Sequence, residues 1–128
     1  MAVFKDTNFL YESLGSFWQE LAKRDEFMIP LKKAGIVIKF EIFDPPATIW
    51  VSPEEGVKLG AQNMKPDIVM KLSGDTCHAF WTKKLSLPVA LATRKIKAKG
   101  NIAKVMKLMP VVKPAYELYP SHMAKFGL

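Results

Sequence analysis

Cys77 and His78 stand side by side, and these are the residue types of a thiolate nucleophile and its base. Adjacency argues against that use. On a helix, neighbouring residues diverge by about 100° and do not face each other. The remaining histidine, His122, lies far off in the C-terminal tail. No Cys, His, Asp and Glu set has metal-ligand spacing. There is no glycine-rich phosphate loop and no nucleophile elbow. Glu54 and Glu55 fall in a Pro-Glu-Glu-Gly turn, where polar residues are ordinary. These residues read as structural, so no reaction, metal or cofactor is expected.

The methionines and aromatics carry a different chemistry. Met70, Phe80, Trp81, Met106 and Met109 either pack a solid core or line an apolar space that adapts to a guest, because Met is flexible and polarizable. The residues alone leave both readings open. The alternating row Lys95, Lys97 and Lys99 could meet an anionic membrane or the phosphates of coenzyme A. A solvated edge strand guarded against aggregation accounts for it as well and is the preferred reading. Lys39, Lys58, Lys71 and Lys97 share a strand face with Phe43 and Trp50. No nucleic-acid motif accompanies them. An exposed Phe43/Trp50 pair would instead favour a homodimer through the sheet.

The chain has 128 residues, a length that suits one domain over 1–128. Its formal net charge is +7, with basic residues spread along the sequence. The lone cysteine excludes an internal disulfide and fits a reducing, cytoplasmic setting. No apolar run reaches the roughly 20 residues of a membrane span. The first residues lack a signal-peptide pattern, and Phe-Gly-Leu at the end is not a peroxisomal address.

Apolar periodicity supplies the elements. Phe9, Leu10, Leu14, Phe17, Trp18 and Leu21 form one stripe on a helix from about Asp6 to Arg24. A short helix follows over Asp25–Ala34, with Phe27, Met28 and Leu31 inward, and Gly35 ends it. Five strands alternate. Ile36, Ile38, Phe40 and Ile42 share a face in the first, and Ala47, Ile49 and Val51 in the second. Val57, Leu59 and Ala61 face inward in the third, Ile68, Met70 and Leu72 in the fourth, and Ile96 and Ala98 in the fifth. Between the last two strands, Ser73 and Ser86 open short helices. One apolar face per strand predicts an α+β fold, a sheet covered by helices on one side. Pro114 and Pro120 divide the tail into one or two short helices.

Three local stretches carry a resemblance. They are Lys-Pro-Asp-Ile-Val-Met-Lys-Leu-Ser-Gly-Asp from Lys65, Leu-Ser-Leu-Pro-Val-Ala-Leu-Ala-Thr-Arg-Lys-Ile-Lys-Ala-Lys-Gly-Asn from Leu85, and the apolar helix from Ile102. With Trp50 in the second strand, this order of elements resembles the sterol carrier protein 2 family over about Gly35 to Pro110. Arg94 stands where many members have Gly, and Asn101 where many have Asp. The resemblance implies a five-stranded, mainly antiparallel sheet with an apolar tunnel between sheet and helices. It implies a non-enzymatic carrier of fatty acid, acyl-CoA, sterol or quinone-like lipid. An accessory module for a partner enzyme, for example in isoprenoid-quinone synthesis, is the alternative. Combined with the strand and helix periods, it places the lining at Phe40, Met70, Phe80, Trp81, Leu87, Leu91, Met106, Met109 and Val112, with the tail as a lid.

Overall fold

The alternation of the strand residues is realised as one five-stranded sheet of order β3-β2-β1-β4-β5. The strands are β1 (Ile38–Phe43), β2 (Ala47–Ser52), β3 (Gly56–Leu59), β4 (Ile68–Ser73) and β5 (Ile96–Gly100). The computed structural model describes residues 2–100, 102–107 and 113–128. β1 pairs with β4 in parallel, and every other pairing is antiparallel. The register puts Ile49, Phe40, Met70 and Ala98 in one row across the sheet. The neighbouring row holds Val51, Ile38 and Ile68.

The helices are α1 (Thr7–Leu10), α2 (Ser16–Leu21), α3 (Asp25–Ala34), α4 (Gly74–Trp81), α5 (Leu87–Ala92), α6 (Ile102–Lys107) and α7 (Lys113–Ala124). They follow local signals. Asp6 caps α1, and the Ser73 and Ser86 hydroxyls accept the N–H groups of Thr76 and Val89 at the starts of α4 and α5. Gly35 ends α3 in the left-handed conformation, φ 64°, which only glycine adopts freely.

The first helix is not uniform. A π-helical turn, Tyr11–Gly15, separates α1 from α2. Just there the helix meets β3: a Cβ on Gly15 would lie 3.0 Å from Leu59 Cδ1. The buried Ser13 hydroxyl donates to the Phe9 carbonyl at 2.7 Å, so a polar side chain sits in the core without an orphan group.

Three expectations need correcting. Ala61 is exposed, because β3 stops at Leu59 and Gly60 turns the chain away. Trp50 occupies an open-face position yet is only 3% exposed. The chain leaving β3 covers it, its Nε1–H donating to the Gly60 carbonyl at 3.0 Å while Lys39 Nζ stands 5.2 Å from the ring. Phe43, 45% exposed, therefore has no exposed Trp50 beside it. Finally, the tail is no loose lid from Lys113 on. α7 runs on through Pro120 and buries Ala115, Tyr119 and Met123, one residue every turn, in the main core. No helix among the described residues is long and apolar enough to cross a membrane.

Candidate functional site

The covered face of the sheet and the helices above it meet in a chain of aromatic rings. Phe40 on β1 lies 5.2 Å from Trp18 on α2, and Trp18 lies 5.3 Å from Trp81 on α4. Trp81 in turn contacts Phe80 at 4.8 Å and Tyr116 of α7 at 5.5 Å. The α4 cap fixes the start of that helix, and with it the positions at which Phe80 and Trp81 enter the layer. Most of these pairs are edge-on or tilted, the favourable geometries for aromatic quadrupoles.

Of the residues expected to line a pocket, Phe40, Phe80, Trp81 and Leu87 are buried in one core with this ring chain. Met70 and Leu91 pack against it but remain half-buried. Met106 is 44% exposed on α6. Met109 and Val112 lie outside the described residues. Trp18 and Tyr116 belong to the same ring chain, which the sequence reading does not place there. Trp18 was visible as part of an amphipathic stripe, but nothing local says that the stripe meets Phe40. Tyr116 depends on α7 folding back across α4.

The layer is unevenly filled. On β4 the flanking residues Ile68 and Leu72 are 0% and 3% exposed, while Met70 between them on the same face is only partly buried. Ala98, its register partner on β5, and Leu91 of α5 are partly buried too, as are Val57 and Leu59 at the opposite edge. Beside them runs an open cleft of about 500 Å³ along the β5 edge, lined by Leu91, Arg94, Ile96, Lys97 and Ala98. A second cleft of about 640 Å³, bordered by Lys32, Gly35, Val37, Ser52, Pro53 and Glu54, contains none of the expected lining residues.

The residues that looked reactive are tied into packing. Burial pushes the Cys77 thiol up to about 12, so it stays protonated at neutral pH. His78 does not face it. Its Nδ1 is 2.8 Å from the Tyr119 hydroxyl, and burial holds its pKa below the ordinary value. His122 Nε2 lies 2.9 Å from Ser16 Oγ. Glu54 and Glu55 each donate their backbone N–H to Ser52 Oγ in the exposed turn. No cluster of His, Cys, Asp and Glu among the described residues has the geometry to hold a metal ion.

Arg94 and Gly100 explain the resemblance at the β5 ends. Arg94 has φ 60°, a conformation that favours glycine, so a Gly is the natural occupant where Arg stands here. At Gly100, φ 117°, a Cβ would come within 2.4 Å of the Asp67 carbonyl oxygen.

Solved structures share this fold at low sequence identity. The sterol carrier protein domain 2 of Helicoverpa armigera aligns with TM-score 0.66 and 18% identity, covering 84% of this chain and 88% of that one. A palmitated sterol carrier protein 2-like protein from Aedes aegypti gives 0.61 and 19%, covering 88% and 96%. The ubiquinone synthesis protein UbiJ gives 0.61 and 12%, covering 79% and 93%. No curated protein sequence matches the chain. The family model of the SCP-2 sterol transfer family matches residues 19–113, well over half of the sequence, and the chain belongs to that family.

Proposed function

We infer that this protein binds the hydrocarbon part of a lipid between the β4–β5 side of its sheet and the helices above it, as one domain and without a catalytic step. The observation that carries the reading is the under-filled covered face. On the β4–β5 side Met70, Ala98 and Leu91 are only partly buried, beside a cleft lined by Leu91, Arg94, Ile96, Lys97 and Ala98. The proposed lining is Phe40, Met70, Phe80, Trp81, Leu87, Leu91 and Met106, with Met109 and Val112 proposed from the sequence alone. Each methylene moved from water into such a site contributes roughly 0.8 kcal/mol. A long acyl chain thus offers on the order of 10 kcal/mol before entropic costs. Flexible Met side chains accept several chain shapes, so selectivity among fatty acyl, sterol and isoprenoid ligands is modest. The palmitated relative supports a fatty acyl ligand. Titration of a fluorescent fatty acid tests the reading, with saturable one-to-one binding expected.

The ubiquinone synthesis protein among the structural neighbours favours a second reading, in which the bound lipid is presented to a partner enzyme. Gentle purification separates the two. A carrier retains lipid alone, whereas an accessory module retains a partner protein.

A further inference from the structure

The positive charge of this chain is concentrated in one stretch. Between Asp75 and Glu117 there are 41 residues without a single Asp or Glu, and they hold nine of the 19 Lys and Arg. The rest of the chain carries ten cations against 12 acids, so 76–116 holds +9 and the remainder −2, which together make the net +7. That stretch builds α4, α5, β5 and α6. It is the part of the fold that borders the β5-edge cleft, whose own rim includes Arg94 and Lys97.

The sheet adds to this pole. On the open face Lys71 of β4 stands directly across from Lys97 of β5, and Lys99 follows two residues along. Directly opposed like charges destabilise a sheet. All three lysines are exposed, and none has an ion-pair partner among the described residues. The carboxylate that shares their concave patch, Glu41, is engaged by Lys39 at 3.0 Å. One or two lysines would suffice to guard an edge strand from aggregation. An opposed pair, with Lys97 in the acid-free stretch and Lys71 on the neighbouring strand, goes further than that guard requires.

We propose that the β5 edge, with Lys71, Lys95, Lys97 and Lys99 around it, is a docking surface for an anionic phospholipid bilayer. The proposal rests on the lipid-binding reading and assigns it an orientation: the cleft beside Met70 and Leu91 faces the membrane when the protein loads or unloads. Attraction of the basic pole to anionic headgroups brings the protein down edge-first. The contact needs no burial of charge, because the lysine heads reach the headgroup layer while the cleft opens toward the acyl region.

The test compares two triple variants of equal net charge. One is Lys71→Glu, Lys95→Glu and Lys99→Glu, none of which lines the β5-edge cleft. The other is Lys33→Glu, Lys65→Glu and Lys125→Glu, exposed positions outside the acid-free stretch. Partition onto vesicles of phosphatidylcholine with about 30% phosphatidylserine is measured at about 0.1 M salt. The unmodified protein should prefer these vesicles to pure phosphatidylcholine. The first variant should lose at least about tenfold in partition, and the second no more than about threefold. Equal losses in both would mean net charge alone acts, and would overturn the proposal. So would equal partition of the unmodified protein onto both vesicle types. Fluorescent fatty-acid binding without vesicles is measured alongside. Its absence would count against the lipid-binding reading, whereas normal fatty-acid binding with unselective vesicle partition would count against the docking surface alone.

Discussion

The Tyr119 hydroxyl on α7 and His78 Nδ1 on α4 lie 2.8 Å apart, which fastens the C-terminal helix to the helix that carries Phe80 and Trp81. Tyr119 is fully buried, and its ring packs edge-on to Phe17 at 5.0 Å. Tyr119→Phe keeps the ring and deletes the bond, so it should cost about 1 kcal/mol. Tyr119→Ala also empties a core position and should cost about 3–5 kcal/mol. Urea denaturation measures both. Equal, near-zero losses would mean that α7 is not part of the folded core.

Both histidines of the chain bind α7 to its neighbours, and burial lowers the pKa of each below 6.5. Lys84 lowers that of His78 further, and Lys125 that of His122, against opposing effects of Asp75 and Glu20. A lowered folded-state pKa means that the unfolded chain binds more protons, so stability rises with pH through that window. Stability is therefore in place above about pH 6.5 and falls as the pH drops below it. Thermal melts between about pH 7.5 and 5.5 should show this slope, and His78→Gln should flatten it. An unchanged slope in that variant would mean that His78 does not contribute to the pH dependence.

Gly100→Ala should be among the most damaging single-methyl additions in the protein. The new Cβ would meet the Asp67 carbonyl oxygen at 2.4 Å, backbone against backbone, at φ 117°. A loss of at least about 2 kcal/mol is expected. Arg94→Gly should change stability by no more than about 1 kcal/mol, since relief of the left-handed backbone offsets the added freedom of the unfolded chain. Denaturation midpoints with a common slope compare the two directly.

Cys77 should resist alkylation in the native state. Its thiol is buried, and burial holds its pKa at about 12. Labelling at mildly alkaline pH should proceed only as fast as the structure opens, and should accelerate in urea. Immediate labelling of the native protein would contradict its place in the core.

Much of this architecture was legible because strand alternation is local. Ile38, Phe40, Ile42, Ile49 and Ile68 fall on the covered face as their period of two requires, and Ser73, Ser86 and Gly35 mark helix ends where their chemistry predicts. What was not legible depends on distant chain. Trp50 is sealed by Gly60 after the chain has turned back, and Gly15 matters because Leu59 packs on it. Pro120 looked like a break, but Tyr119 and Met123 on either side are both anchored in the core. The aromatic layer shows the same division. Phe40 and Met70 follow from their strands, whereas Trp18 and Tyr116 join them only through tertiary packing.

If the covered face around Met70 has room for a lipid chain, Met70→Trp will reveal it. A larger side chain there should fill existing space. The prediction is a melting temperature close to that of the unmodified protein, with affinity for a fluorescent fatty acid reduced at least about tenfold. A closed, solid layer would instead lose about 1–3 kcal/mol of stability to overpacking. That loss, together with no saturable probe binding by the unmodified protein, would contradict the lipid-binding reading.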